Sequence, residues 1–423
     1  MISCGICAER IERGGGHDSF HPPRPVSPRR VRVILLALST AIFVTISYEA
    51  MPIGLLTDIA AQLHTDTAGG GLLVSSYALV VVIGSIPLSA AVARYDARGV
   101  LLAMLVVFAL SSALVAASTT LALAVAARLL GGAAHAIIFT AVFRIALAIV
   151  ARERRGRAAG TVAAGNAVAL SLGLPAATAL GAATSWRLPF GVATVAFVLI
   201  AAVTALVVPV RLPATEPDPS AKMILAAVRR PSMLRVGITV VLTTGAHFAT
   251  YTYIQPILVE IGLSAAQISL ILLGYGAAGV VGLLVVTPWV DRCPRALILV
   301  TMALLCASLV ALWWSRPHLP TTVASVLVWG LALGAFPVLA QVMALRASPD
   351  TPSAAAPMSG TTFNIGIALG SAAGGLLLTT TTSTGLVATS TAAVAVVLAL
   401  SAVPRWLPAD RARRRRGPGP DGE

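Results

Sequence analysis

Residues 33–55 read VILLALSTAIFVTISYEAMPIGL. A stretch of this kind crosses the hydrocarbon core of a bilayer, which takes roughly 20 mostly apolar residues. Eleven more windows follow, near 70–93, 100–118, 121–149, 158–181, 188–209, 235–259, 265–288, 296–315, 319–344, 357–380 and 384–404. Their apolar runs are continuous and not alternating, which excludes a β-barrel. The chain is 57% hydrophobic and 11% charged, far from the roughly 25% charge of soluble proteins. The sequence predicts an all-α polytopic membrane protein, with twelve transmembrane helices in two six-helix halves.

Glu49 is the lone acid inside the first window. An ionisable group there costs several kcal/mol on most scales, and such groups line pathways or relay protons. Arg128 lies in the fourth window. At 1.5 Å per residue, Glu49 and Arg128 both sit roughly 10–12 Å below the outer boundary. Equal depth suggests a pair, either a carboxylate that alternates between proton-bound and ion-paired states or a static salt bridge. Arg144 is nearer the inner end and is expected to snorkel.

The net charge of +14 points to the bilayer and not to nucleic acid, because of where it sits. With both termini inside, Arg187 and Arg316 fall outside and Arg128 and Arg144 within the fourth span. The other 26 of the 30 Lys and Arg residues lie on the inner side, which is the positive-inside pattern. The run Arg411–Arg416 then anchors topology against anionic lipid headgroups. These features place the protein in the cell membrane, with both termini cytoplasmic.

The chain divides into a disordered tail at 1–30, a first half at 31–209, a cytoplasmic linker at 210–234, a second half at 235–404 and a basic cytoplasmic tail at 405–423. The first tail holds Cys4-x2-Cys7 and His17-x3-His21. This looks like a zinc pattern but lacks the usual gap and a following core. No metal or cofactor is expected, and a start at Val26, Val31 or Val33 is an alternative reading of that segment.

The two halves echo each other. After the second span of each comes a short charged loop, Arg94-Tyr95-Asp96-Ala97-Arg98 and Asp291-Arg292-Cys293-Pro294-Arg295. Arg94, Asp96, Arg98, Asp291, Arg292 and Arg295 are therefore candidates for gating by charge-assisted hydrogen bonds at the inner face. The fifth span of each half carries small residues at helical spacing: Gly165, Ala169, Gly173, Ala177 and Gly181, then Gly366, Gly370 and Gly374. These allow close helix packing, or form a seam along which the halves rock. Pro175 should bend the first stripe, which makes Gly173 and Pro175 gating candidates.

His247, Tyr251 and Gln255 recur every fourth residue and share one helix face, as expected for a cavity wall. Asn166, Gln341 and Asn364 are further neutral candidates. His135 lies close to the face of Arg128 and is read as a cavity residue, either a proton relay or a helix–helix hydrogen bonder. The Gly274–Gly279 stretch spells a dinucleotide fingerprint, but it lies within a span with no preceding strand.

Four stretches resemble the twelve-spanner drug–proton antiporters of the major facilitator superfamily, in particular sugar, nucleoside and chloramphenicol efflux permeases. They are Tyr48–Leu56 with Asp58-Ile59-Ala60; Arg128-x2-Gly131-x3-His135; Gly173-Leu174-Pro175 with Gly181 and Trp186-Arg187; and Gly245–Tyr253 with Phe363–Gly366. The resemblance implies export of a small amphipathic solute against inward proton flow, by alternating access. The same fold running in reverse, as proton-coupled or facilitated uptake of a sugar or nucleoside, stays open. A membrane enzyme is disfavoured for want of paired acids, a metal-binding cluster or a nucleophile with its base.

Overall fold

Helix length follows directly from the apolar windows. The computed structural model describes residues 27–151, 154–209, 229–314, 318–348, 355–404 and 406–408. Among them it has twelve helices long and apolar enough to cross a membrane. The first six spans are Pro28–Gly54, Thr67–Val92, Ala97–Ala117, Leu121–Ala148, Arg157–Ala183 and Arg187–Val207. The last six are Pro231–Tyr251, Ala265–Val286, Pro294–Trp314, Leu319–Ala347, Ala355–Thr380 and Ser383–Ala402. Oxygen-bearing side chains cap several starts: Asp66, Asp96, Thr120, Ser264 and Thr382 each accept a hydrogen bond from a first-turn N–H. Each satisfies a donor that the helix itself leaves unpaired.

Lipid-facing surface stays apolar, with Leu206 80% and Trp314 81% exposed. Buried apolar side chains form two clusters. One lies wholly within the first half and the other mainly within the second, joined there by Ile53, Leu56, Val74, Ala78 and Leu174. Across the middle, the second span packs along the eleventh and the fifth against the eighth.

Prolines decide the two most important breaks. Pro52 lacks an N–H, so the Tyr48 carbonyl loses its helical donor. The first span ends two residues later, and a separate helix, Leu56–Gln62, follows. Pro256 removes the donor for Thr252 in the same way, and the seventh span gives way to the helix Ile254–Glu260. The backbone N–H of Thr57 in the first short helix donates to Gln255 Oε1 in the second, at 3.0 Å. This joins the halves at the face opposite the termini.

Tyr253 seals the same face. Its hydroxyl donates to the Ser371 carbonyl at 2.9 Å, and the ring is fully buried between Gly71 of the second span and Gly375 of the eleventh. A Cβ on Gly71 would collide with the Tyr253 hydroxyl oxygen. At mid-depth, Ser171 Oγ donates to the Gly276 carbonyl at 3.0 Å. Ser171 sits in a π-helical turn, Ala169–Gly173, just before Pro175, where the missing proline donor loosens the helix.

The small-residue stripes face the first and seventh spans of their own halves and not a sliding seam between the halves. Cβ atoms at Gly165 and Gly173 would strike Ser39 and Ser47 of the first span, and one at Gly181 would strike Leu55 at its end. Those at Gly366, Gly370 and Gly374 would strike Thr244, Gly245 and Ala249 of the seventh span.

Candidate functional site

Arg128 is fully buried, so all its charge must be answered from inside the protein. Nε donates to the Leu73 carbonyl at 2.9 Å, Nη1 to the Tyr48 carbonyl at 3.0 Å and Nη2 to the Glu49 carbonyl at 2.9 Å. The guanidinium also lies 4.1 Å from the Tyr77 ring centroid and 4.8 Å from that of Tyr48. The Tyr48 carbonyl is the one Pro52 strips of its donor. Arg128 therefore fills a vacancy in the first span's hydrogen-bond ladder, and Pro52 and Arg128 form one structural unit.

This corrects the expected pair. Equal depth does bring Glu49 and Arg128 together, but the guanidinium meets the main-chain oxygen and not the carboxylate. The Glu49 carboxylate turns towards His135 instead, with Oε2 3.6 Å from Nδ1. The same Nδ1 lies 2.9 Å from the Tyr77 hydroxyl. Gly131, one turn after Arg128, lets the fourth span approach the Tyr48–Ser111 hydrogen bond of 2.6 Å.

The second half presents aromatic rings. His247 and Tyr251 stack with centroids 4.8 Å apart, as do Tyr251 and Tyr275. Trp329 stands edge-on to all three. The Trp329 indole donates to His247 Nδ1 at 3.0 Å. An indole N–H is only a donor, so Nδ1 is the acceptor, and the neutral imidazole carries its hydrogen on Nε2. Among the described residues, Nε2 and the Tyr251 and Tyr275 hydroxyls have no hydrogen-bond partner. Asn364 donates to the Gly360 carbonyl, while its Oδ1 is buried and has no partner among the described residues.

The expected cavity residues thus separate. His247 and Tyr251 form the aromatic wall, and no described contact joins Asn364 to it. Gln255 lies beyond the break in the seventh span and is spent on Thr57. His135 belongs with Glu49. Asn166 is half-buried and Gln341 exposed, neither with a hydrogen bond to a described residue. Tyr77, Tyr275 and Trp329 escaped sequence reasoning. Tyr275 was hidden in the discounted glycine fingerprint, and nothing in local sequence marks a membrane tryptophan as a histidine's partner.

The charged loops tie helix ends within each half. Asp96 Oδ2 accepts from the Gly99 N–H at 2.9 Å, and Arg98 donates to the Ala205 carbonyl at the end of the sixth span. Arg295 repeats this on the twelfth span, reaching the Ala402 and Val403 carbonyls at 3.1 Å. Basic side chains are well suited to the unpaired carbonyls of a helix C-terminus. Arg346 donates to the Asp291 carbonyl, Arg94 donates to the Tyr95 hydroxyl, and Arg292 lies over Trp289. Cys293 and Cys306 are free thiols. The Cys4, Cys7, His17 and His21 pattern, most of the linker and Arg411–Arg416 lie outside the described residues.

Twelve spans pack in two sets of six, with a buried charge cluster on one side and an aromatic wall on the other. The chain belongs to the Major Facilitator Superfamily, whose sequence model matches residues 36–260 and 236–422. It is 29% identical over 347 residues to a probable sugar efflux transporter of Mannheimia succiniciproducens, covering 81% of this chain and 86% of that protein. A probable sugar efflux transporter of Haemophilus influenzae is 28% identical over 349 residues, covering 82% and 86%. Among solved structures, the nucleoside transporter NupG superposes with a TM-score of 0.70 at 15% identity, covering 88% of this chain and 98% of that one. A bacterial homologue of the human lysosomal transporter Spinster, inward-facing and unoccupied, also gives 0.70 at 15% identity, covering 89% and 96%.

Proposed function

We propose that this protein exports a small, neutral, hydroxyl-bearing ring compound, of the sugar class foremost, in exchange for protons. It resides in the cell membrane with both termini in the cytoplasm. The observation that carries the reading is Glu49: a carboxyl deep in the first span whose only described neighbour within salt-bridge distance is a histidine, while the nearby arginine is committed to carbonyls. A carboxyl held this way is not locked in a static ion pair, so it is available to bind and release a proton. The aromatic wall supports the solute end. Flat ring faces suit the apolar face of a sugar, and His247 Nε2–H and two tyrosine hydroxyls answer its hydroxyls.

Alternating access supplies the coupling. The contacts of Tyr253 and Gln255 close the outer face in this conformation. Arg94, Asp96, Arg98, Asp291, Arg292 and Arg295 lie at the inner face, where they brace helix ends within each half in this conformation and would exchange these contacts as that face closes. The names of the two relatives favour efflux and a sugar. Counterflow in proteoliposomes across methyl glycosides, nucleosides and amphipathic cations tests the solute class. Glycosides should exchange fastest; exchange of cations alone would overturn the neutral-ring assignment.

A further inference from the structure

His135 Nδ1 has two oxygen neighbours, the Tyr77 hydroxyl at 2.9 Å and Glu49 Oε2 at 3.6 Å. A ring nitrogen carries either a lone pair or a hydrogen, so it serves one of two opposite purposes at a time. These contacts join the histidine's own fourth span to the second and the first. The other charged group close by is Arg128 on the histidine's own span, three of whose five N–H donors go to carbonyls. Phe139 flanks the imidazole at 5.2 Å and Tyr77 stands edge-on to it at 5.5 Å. His135 Nε2 has no hydrogen-bond partner among the described residues.

We propose that His135 is the second station of the transported proton, exchanging it with Glu49 at Nδ1 and with water at Nε2, and that the Tyr77 hydroxyl competes for Nδ1. The proposal rests on the proton-coupled reading of Glu49. While Tyr77 donates to Nδ1, the imidazole is neutral with its hydrogen on Nε2, and Glu49 keeps its proton. When the Tyr77 O–H turns away, the Glu49 O–H bond breaks and an Nδ1–H bond forms. A carboxylate and an imidazolium then face each other, and their attraction opposes part of the cost of separating charge in a buried site. Loss of the Nε2 proton to water completes release and leaves the hydrogen on Nδ1. Reloading runs in reverse: Nε2 takes a proton from water and Nδ1 returns one to Glu49. Every proton is accounted for without another reactant.

Glu49 and His135 then titrate as a pair and not singly. Infrared pH titration of the purified transporter, with the proton itself as the probe, reads this directly. The Glu49→Gln variant identifies the Glu49 carboxylic acid band by its loss. Tyr77→Phe removes the competing donor and favours the proton on His135, so the carboxyl midpoint should fall by about half to one pH unit. His135→Gln removes the alternative station, so the midpoint should rise. Unmoved midpoints in both folded variants overturn the proposal, as does a shift of both in the same direction. The Tyr77→Phe change keeps the ring against Arg128, so that arm survives if His135→Gln fails to fold. Absence of any titrating band lost in Glu49→Gln would instead count against the proton-coupled reading beneath it.

Discussion

Arg128 illustrates how a buried charge is used in a membrane helix bundle. Three charge-assisted hydrogen bonds, each worth about 1.5–3 kcal/mol, hold the guanidinium to the first and second spans. Arg128→Met should therefore destabilise the protein by on the order of 3 kcal/mol or more, read as a lowered unfolding temperature in detergent. Adding Pro52→Ala restores an N–H to the Tyr48 carbonyl, so the double variant should recover about 1 kcal/mol. No recovery would mean that the two residues are not one unit. In the second half, Trp329→Phe keeps an aromatic ring but removes the donor that fixes the His247 tautomer. Solute affinity should fall about tenfold, the equivalent of 1.4 kcal/mol, with the pH dependence of transport unchanged. A pH profile that moved with Trp329 would place proton coupling in the wrong half. Sequence showed Glu49 and Arg128 as costly residues at one depth. It did not show which atoms meet, because that choice follows from a missing proline donor four residues along the helix.

At the scale of elements, the far-face closure depends on Gly71 leaving room for the Tyr253 ring. A methyl group there would overlap the hydroxyl oxygen. The ring cannot retreat, since it is fully buried and bonded to the Ser371 carbonyl. Gly71→Ala should therefore shift the population towards the conformation open at the far face. A cysteine at Ala68, which packs near Gly375, should then react severalfold faster with an impermeant maleimide, in a background without the native cysteines. Unchanged labelling would show that Tyr253 is not part of the seal. The spans themselves were legible, because continuous apolar runs of that length have few other destinations. The glycine stripes were legible as close-packing surfaces, yet their partner spans were not. Spacing fixes a face of a helix, and only the assembled bundle shows what covers it. The seven-residue helices after the first and seventh spans were missed for a related reason: the apolar run continues past each break, and Pro52 and Pro256 change direction without changing hydropathy.

For the whole molecule, the proposed mechanism puts the proton in the first half and the solute in the second, with alternating access linking them. One consequence is a signed pH dependence. If solute binding from the cytoplasm requires Glu49 to give up its proton, acid competes with solute. Apparent affinity should weaken by up to about tenfold per pH unit below the Glu49 titration and level off above it. The Glu49→Gln variant should show no such slope. Substrate-induced proton release tests the central claim most directly, measured on purified wild type and Glu49→Gln with the solute that exchanges fastest in counterflow. The wild type should release protons on binding, whereas the Gln variant, a neutral mimic of the protonated carboxyl, should bind solute at the weakened acid-side affinity and, at solute concentrations that fill its site, release none. Proton release that persists unchanged in the variant would contradict the role given to Glu49.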